Sequence, residues 1–509
     1  MKITEDFIGN ETKELTKTKI VTILRWWGFN PDSYSTWGNA RVDMNNILSV
    51  SSSSTISDRE RASSFLSKIN YINDPDTVIS DTLFAANEPG VWFDPSDLST
   101  LFQDAAGTIP VTGVEQPVGL MLDKSGRGNH ASQATTTARP ILSARYNILP
   151  NTVFAGAVSG TDATSVQPTG WSKVFWTGGS IAVDNSAGDG AITFSTTLGQ
   201  MVIGYPFSVT AGQVYVCSVD IEVLSGSYNP PSVIDFTGVG TGAVKQYFFN
   251  GEPIGSENIP SSGRLVCVVT VGSDTSTTTF RLGSGANAPR TGVIKVSRPD
   301  VRLSADSSIL PGYQRVVSPS EYSTEGFPYY LRFDGVDDHL SIPSLDFSGA
   351  SSAAAVIGVQ KLSDAIASRP YSHGISTGQN GAFRFLAPAN GGQASVRAAS
   401  RGADGVLRET AGTNDKAAPI KLVLCSTYGA NAPVSLRYNG TESRVSAGSL
   451  GALTLPSARS VIGAQVMGAT TQSIFFLGRI YGLAHIARAL SPVEQRILEQ
   501  FIRNKSKAY

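Results

Sequence analysis

The sequence predicts a mainly β protein with a small, partly helical amino-terminal unit and a carboxy-terminal helix. Three observations carry this. Only 16% of the residues are charged, against roughly 25% in an average globular domain, while 41% are hydrophobic and 51 are glycine. From Pro89 onward, apolar and polar residues alternate over short runs, which is the period of a half-buried strand. Helix signals cluster near the two ends of the chain. At 509 residues the chain is too long for one core, so about three folded units are expected.

Residues 1–85 form the first unit. Leu15, Ile20, Ile23, Leu24 and Trp27 fall near helical spacing, and Ser57 with Glu60 three residues on makes a capping box for a second helix. Ser49 to Thr55 reads as a linker between them. Trp26, Trp27 and Trp37 gather in this unit as a core or a docking surface.

Strands follow. Val214 to Val223 sets Cys217, Val219, Ile221 and Val223 on one face and Ser218, Asp220 and Glu222 on the other. Leu265 to Val269, Phe280 to Leu282 and Val293 to Val296 continue the series between Gly/Ser/Asn turns. A second series runs through Tyr330–Phe333, Leu340–Ile342, Val356–Val359, Lys421–Cys425 and Val434–Tyr438, which leads into the hairpin dipeptide Asn439-Gly440. Phe475 to Ile486 is the last strand. Ser491, Pro492 and Glu494 then start a helix whose apolar face is Val493, Ile497, Leu498 and Phe501.

Composition also excludes some functions. A formal net charge of -1 gives no broad positive field, so no nucleic acid partner is expected. Cys217, Cys267 and Cys425 lack metal-ligand spacing and read as buried thiols, with a Cys217–Cys267 bridge as the lesser alternative. The start, Met1 to Asp6, lacks a signal-peptide stretch, and the run from Ala353 to Val359 is too short to span a bilayer. Cytoplasmic synthesis without membrane insertion is therefore expected.

Two distant stretches resemble parts of one fold. Gly90-Val91-Trp92-Phe93-Asp94-Pro95-Ser96-Asp97-Leu98, followed by Leu122 to His130, resembles the opening of the concanavalin A-like and laminin G-like jelly rolls found in phage virion proteins. Tyr329 to Leu340 resembles the strand pair that follows there, and Phe476 to Leu483 the closing strand. Between them, Pro206 to Tyr215 and Gly292 to Val301 are similar to a carbohydrate-binding-module sandwich. The resemblance implies two antiparallel jelly-roll β-sandwiches, one inserted in the other. Residues 86–145 would be the first part of the outer sandwich, 146–315 the insert, and 316–509 the second part with its helix. A sandwich with adjacent termini can replace a surface loop at little entropic cost. The same resemblance implies a virion part, a tail fibre or capsid decoration, assembled in the host cytoplasm. Its partners would be other virion proteins through residues 1–85, host surface polysaccharide or lipopolysaccharide, and further copies of itself, with a trimer expected of a fibre.

Catalytic chemistry is sparse. A glucanase-like depolymerase needs two carboxyls flanking one bond, and no Glu-x-Asp occurs. The reverse pattern, Asp220-Ile221-Glu222, lies on a strand face that reads as solvated. For His130, His339, His373 and His485, no Gly-x-Ser-x-Gly elbow is read beside them. Asp184 to Asp189 and Asp334 to Asp338 offer oxygen ligands for calcium, but they also match ordinary turn chemistry, so no cofactor is assigned. Gly238 to Gly242 lacks the Lys-Ser/Thr ending of a phosphate loop. Sugar binding needs only an exposed ring beside polar groups, and Trp171 and Trp176 are the carbohydrate-binding candidates. The expected function is non-catalytic glycan recognition by a virion protein. A purely structural decoration or cement role and a depolymerase are the alternatives.

Overall fold

A computed structural model describes residues 87–508 apart from 187, 307, 308, 413 and 414, together with residues 79, 83 and 84. The two helices expected within residues 12–27 and from Ser57, and the tryptophans at 26, 27 and 37, lie outside the described residues.

The chain is a mainly β protein with a carboxy-terminal helix. Two nine-stranded antiparallel sheets face each other as one sandwich, and both draw strands from residues 90–143 and from residues 330–486. The first centres on Leu477–Ile486, which pairs with Gly90–Phe93, Tyr330–Asp334 and Ser352–Lys361. The second runs from Leu101–Phe102 through Leu340–Asp346, Ser457–Ile462, Tyr371–His373, Phe383–Leu386 and Arg397–Arg401 to Leu407–Glu409. Val91, Phe93, Leu331, Phe333, Ile357, Phe383, Phe385 and Leu424 fill the space between them. Burying such side chains stabilises the fold by roughly 1.5–3 kcal/mol each.

Residues 160–303 supply a ten-stranded sheet of their own, whose long strands Ala191–Ser208, Val214–Gly226 and Arg290–Leu303 wrap a second core. Alternation sets its register. Cys217, Val219 and Ile221 point inward opposite Cys267, Leu265 and Gly263. Cys217 and Cys267 remain buried free thiols, so the alternative bridge is not formed. The opposite face departs from expectation at Ser218, which is only 8% exposed because Arg264 Nη2 reaches across to its Oγ at 2.6 Å.

The chain crosses between the sandwiches at two adjacent stretches. Ile148 N donates to Val301 O at 2.8 Å and Thr152 N to Val316 O at 2.7 Å. Gln314, fully buried, accepts from the backbone N–H groups of Tyr146 and Asn147 at 2.7 and 2.9 Å and donates to Ala144 O and Ser323 O. Every polar group of that side chain is used, which is what burial of an amide requires.

The outer face of the first sheet is covered in two ways. Over Ala354, Val356, Val423, Cys425, Ala484 and Ile486 lies the helix Pro492–Ser506, with Ile497, Leu498, Phe501 and Ile502 inward and Ile79, Leu83 and Phe84 beside it. Ser491 caps it, and the full capping box with Glu494 is present. Over the remainder lies a polar layer. Asp306, 1% exposed, accepts from Lys421 Nζ at 2.8 Å, Arg479 Nη1 at 3.0 Å and Gln360 Nε2 at 3.1 Å. The Arg479 guanidinium lies 4.8 Å from the Tyr146 ring centroid and 4.6 Å from that of Tyr330. Asn439 and Gly440 both take left-handed backbone, φ 51° and 73°, as a hairpin turn of the type their sequence favours requires.

Candidate functional site

The two tryptophans proposed for sugar stacking are placed differently from each other. Trp171 is 4% exposed and packs among Phe154, Tyr205 and Phe280 at centroid distances of 6.4, 6.4 and 6.1 Å. Its Nε1 donates to Asn151 O at 2.8 Å, so its one polar group is satisfied inside. No face of the ring is left for a ligand, and Trp171 is a core residue, which corrects its assignment as a binding candidate. Trp176 is half-buried on the same core, donates from Nε1 to Ser165 Oγ at 3.0 Å, and carries Lys173 Nζ 4.9 Å from its ring centroid.

Between them stands an aromatic that sequence reasoning missed. On the strand Ser172–Asp184, Lys173 pairs with Ile203, but the next partner, Val202, faces Phe175, so Val174 is an extra residue in a bulge. The bulge resets the alternation. Phe175 turns outward, 36% exposed, while Trp176 turns in opposite Met201. The ring is flanked by the Arg281 guanidinium at 5.0 Å. Arg281 rises from the strand Thr277–Ser284 opposite Gly204, and the lack of a side chain there opens room, since a Cβ would meet Val174 Cγ2 at 2.4 Å. Its Nε is buried with no hydrogen-bond partner. Asp235, directly across the next strand pair, is already held by Lys245 Nζ at 2.6 Å. Among the described residues, no carboxylate lies within ion-pair distance of Arg281. The surface therefore offers an apolar ring face beside a guanidinium that no described carboxylate pairs, which suits a ligand with C–H faces and oxygen acceptors.

The other chemistry-bearing residues are committed elsewhere. Asp220 pairs with Arg264 at 2.8 Å and with Arg298 at 3.2 Å, and Glu222 on the same face is exposed. His130 Nδ1 accepts from Asp123 N at 3.0 Å, which fixes the Asp123 turn, and His339 is bound by Gln133. His373 and His485 are buried. His485 bonds Tyr371 Oη at 2.7 Å and Tyr428 Oη at 3.0 Å, and burial pushes the His373 imidazole down to about 4. The pentapeptide Gly374-Ile375-Ser376-Thr377-Gly378 does have the Gly-x-Ser-x-Gly spacing, which the sequence reading passed over. It occupies a bend with no helix after it, and His373 bonds Ser460 Oγ instead, so no nucleophile elbow exists there.

Asp334, Asp337 and Asp338 bring one ligand oxygen each within 4.8 Å of one another. Asp334 accepts from Val336 N and Asp338 from Asp334 N, the self-bonded turn that such residues favour. Burial, with Asp334 next in weight, pushes the Asp338 carboxyl up to about 7.

No family model matches the chain, and no curated protein matches it. Among solved structures, the carbohydrate-binding module of the Ruminococcus gnavus IT-sialidase is 16% identical over 30% of this chain and 84% of that one, with a TM-score of 0.24. The NanB sialidase of Streptococcus pneumoniae is 13% identical over 32% of this chain and 26% of that one, TM-score 0.25. The binding domain of botulinum neurotoxin serotype D is 11% identical over 35% of this chain and 42% of that one, TM-score 0.26. The chain thus spans less than half of the latter two, and at these scores the likenesses fix neither a family nor a ligand.

Proposed function

We propose that this chain is a non-catalytic glycan-recognising protein of a phage particle, with the Phe175 and Arg281 surface as a sugar-contacting platform. The observation that carries the reading is the outward ring of Phe175 beside the Arg281 guanidinium, which no carboxylate among the described residues pairs. A pyranose stacks its C–H face on such a ring and gives its hydroxyl oxygens to the donors. The surrounding chemistry supports binding rather than turnover, since Asp220 is neutralised by two arginines and the buried histidines are bonded to hydroxyls and a carbonyl. The phage context rests on the sequence resemblance, with residues 1–85 as the attachment to the particle and repeated copies raising a weak single-site affinity through effective concentration. The test is glycan-array and whole-cell binding of the full chain beside Phe175→Ala, with released reducing sugar measured in the same wells.

A further inference from the structure

A second surface lies on the outer sandwich, far from Phe175 in sequence and on a different sheet. In the strand Phe383–Leu386, Phe383 and Phe385 enter the core, so Arg384 points to the opposite face. Its two cross-strand neighbours are small: Ser372 on one side and Ala399 on the other. Two residues either side of Ala399 stand Arg397 and Arg401, diagonal to Arg384, a placement that brings side chains within about 7–8 Å. Arg369, 7% exposed, lies in the loop before Tyr371–His373, and Arg384 and Arg369 repel each other enough to contribute to the lowering of the Arg369 guanidinium to about 10, after burial itself.

The partners of these four guanidiniums are nearly all neutral. Arg369 donates to Gln465 Oε1 and to the carbonyls of Ser368 and Pro388. Arg401 donates to the carbonyls of Thr377 and Gly405. Arg397 holds the one carboxylate, Glu409, at 3.0 Å. Arg384 has no ion pair among the described residues, and its Nε is buried without a hydrogen-bond partner, as is that of Arg397. Four cations against one anion leave a surplus of three positive charges on a half-buried sheet face. Elsewhere on the same sandwich Arg437 is paired with Glu499 and Arg444 with Asp415.

We infer that this face, centred on Arg384, binds the oxyanion of an acidic saccharide, a carboxylate or phosphate group carried on a glycan. The inference rests on the reading of the chain as a glycan binder and adds the chemical class of the glycan. Planar guanidiniums match carboxylate and phosphate oxygens in bidentate pairs, and such charge-assisted bonds are roughly twice as strong as neutral ones.

The experiment is calorimetric titration of the full chain with polygalacturonate, phosphomannan, neutral dextran and single-stranded DNA, repeated for Arg384→Ala, Arg384→Gln and Phe175→Ala. The first two probes distinguish carboxylate from phosphate. One of them is expected to bind at least about tenfold tighter than dextran, and both Arg384 variants should lose that margin with melting temperatures unchanged. Phe175→Ala should leave the margin intact. Equal binding of acidic and neutral glycans, retention of the margin in the Arg384 variants, or equally tight binding of DNA would each overturn the inference. Neutral-glycan binding through Phe175 without any acidic preference would overturn this site and leave the platform standing. Loss of the margin in the Arg384 variants, with dextran binding undiminished in Phe175→Ala, would sustain this site and remove the platform.

Discussion

Replacing Asp306 by Asn tests how the two sandwiches are joined. The carboxylate is 1% exposed and accepts from Lys421, Arg479 and Gln360, groups from three strands of the first sheet of the outer sandwich. Asparagine keeps the shape but removes the charge, leaving two cations buried against one another. Removing one member of a buried ion pair costs about 3–5 kcal/mol, because the orphaned charge stays desolvated. At about 2–4 °C per kcal/mol for a unit of this size, the melting temperature should fall by about 6–20 °C. Acid titration gives a second reading. Burial alone would raise the Asp306 carboxyl, but Arg479 and Lys421 outweigh it and hold it below the usual carboxylate range. In an unfolded chain the group titrates near 3.9, at about the ordinary value. The folded state therefore binds fewer protons there, so the stabilisation is present above about pH 4 and is lost as pH falls through the depressed folded value. Scanning calorimetry of wild type and Asp306→Asn from pH 3 to 7 should show the difference shrinking on the acid side. A variant within about 1 kcal/mol of wild type at pH 7 would refute the account of this layer.

Other residues give shorter tests. Trp171→Ala should destabilise the inner sandwich by about 3–5 kcal/mol, whereas Trp171→Phe should fold and bind glycan as wild type does; a stable Trp171→Ala that lost binding alone would return the residue to the ligand site. Because the Asp338 carboxyl is raised to about 7 and titrates near 3.9 when unfolded, stability should fall as pH rises from about 4 to 7; Asp338→Asn should flatten that fall by an amount of order 1 kcal/mol in urea titrations, and an unchanged slope would contradict it. Burial pushes the Cys267 thiol up to about 12, and Cys217 and Cys425 are raised as well, so Ellman's reagent should find no reactive thiol in the native protein and all three in guanidinium; rapid native reaction would show that the cores open.

Much of the fold was legible because local patterns agreed with the final packing. The alternation from Cys217 to Ile221, the Asn439-Gly440 turn and the capping box at Ser491 are short-range signals, and each is met in place. The candidate surface was legible only in part. A tryptophan announces a large ring, but whether it is buried depends on an acceptor such as Asn151 O, twenty residues away. Phe175 faces outward because of one extra residue at Val174, and a bulge leaves no mark in a pattern of alternation. The arginines at 384, 397 and 401 meet through strand register, and the Asp306 layer joins residues 306, 360, 421 and 479, so neither carries a contiguous motif.

The measurement that bears most directly on glycan recognition is binding of the full chain to a glycan array and to whole cells, wild type beside Phe175→Ala, with reducing-sugar release recorded in the same wells. The predicted result is saturable binding that weakens by about 1–3 kcal/mol on loss of the ring, with no sugar released and an unchanged melting temperature. Binding that survives Phe175→Ala undiminished, no binding to any glycan, or release of sugar would contradict it.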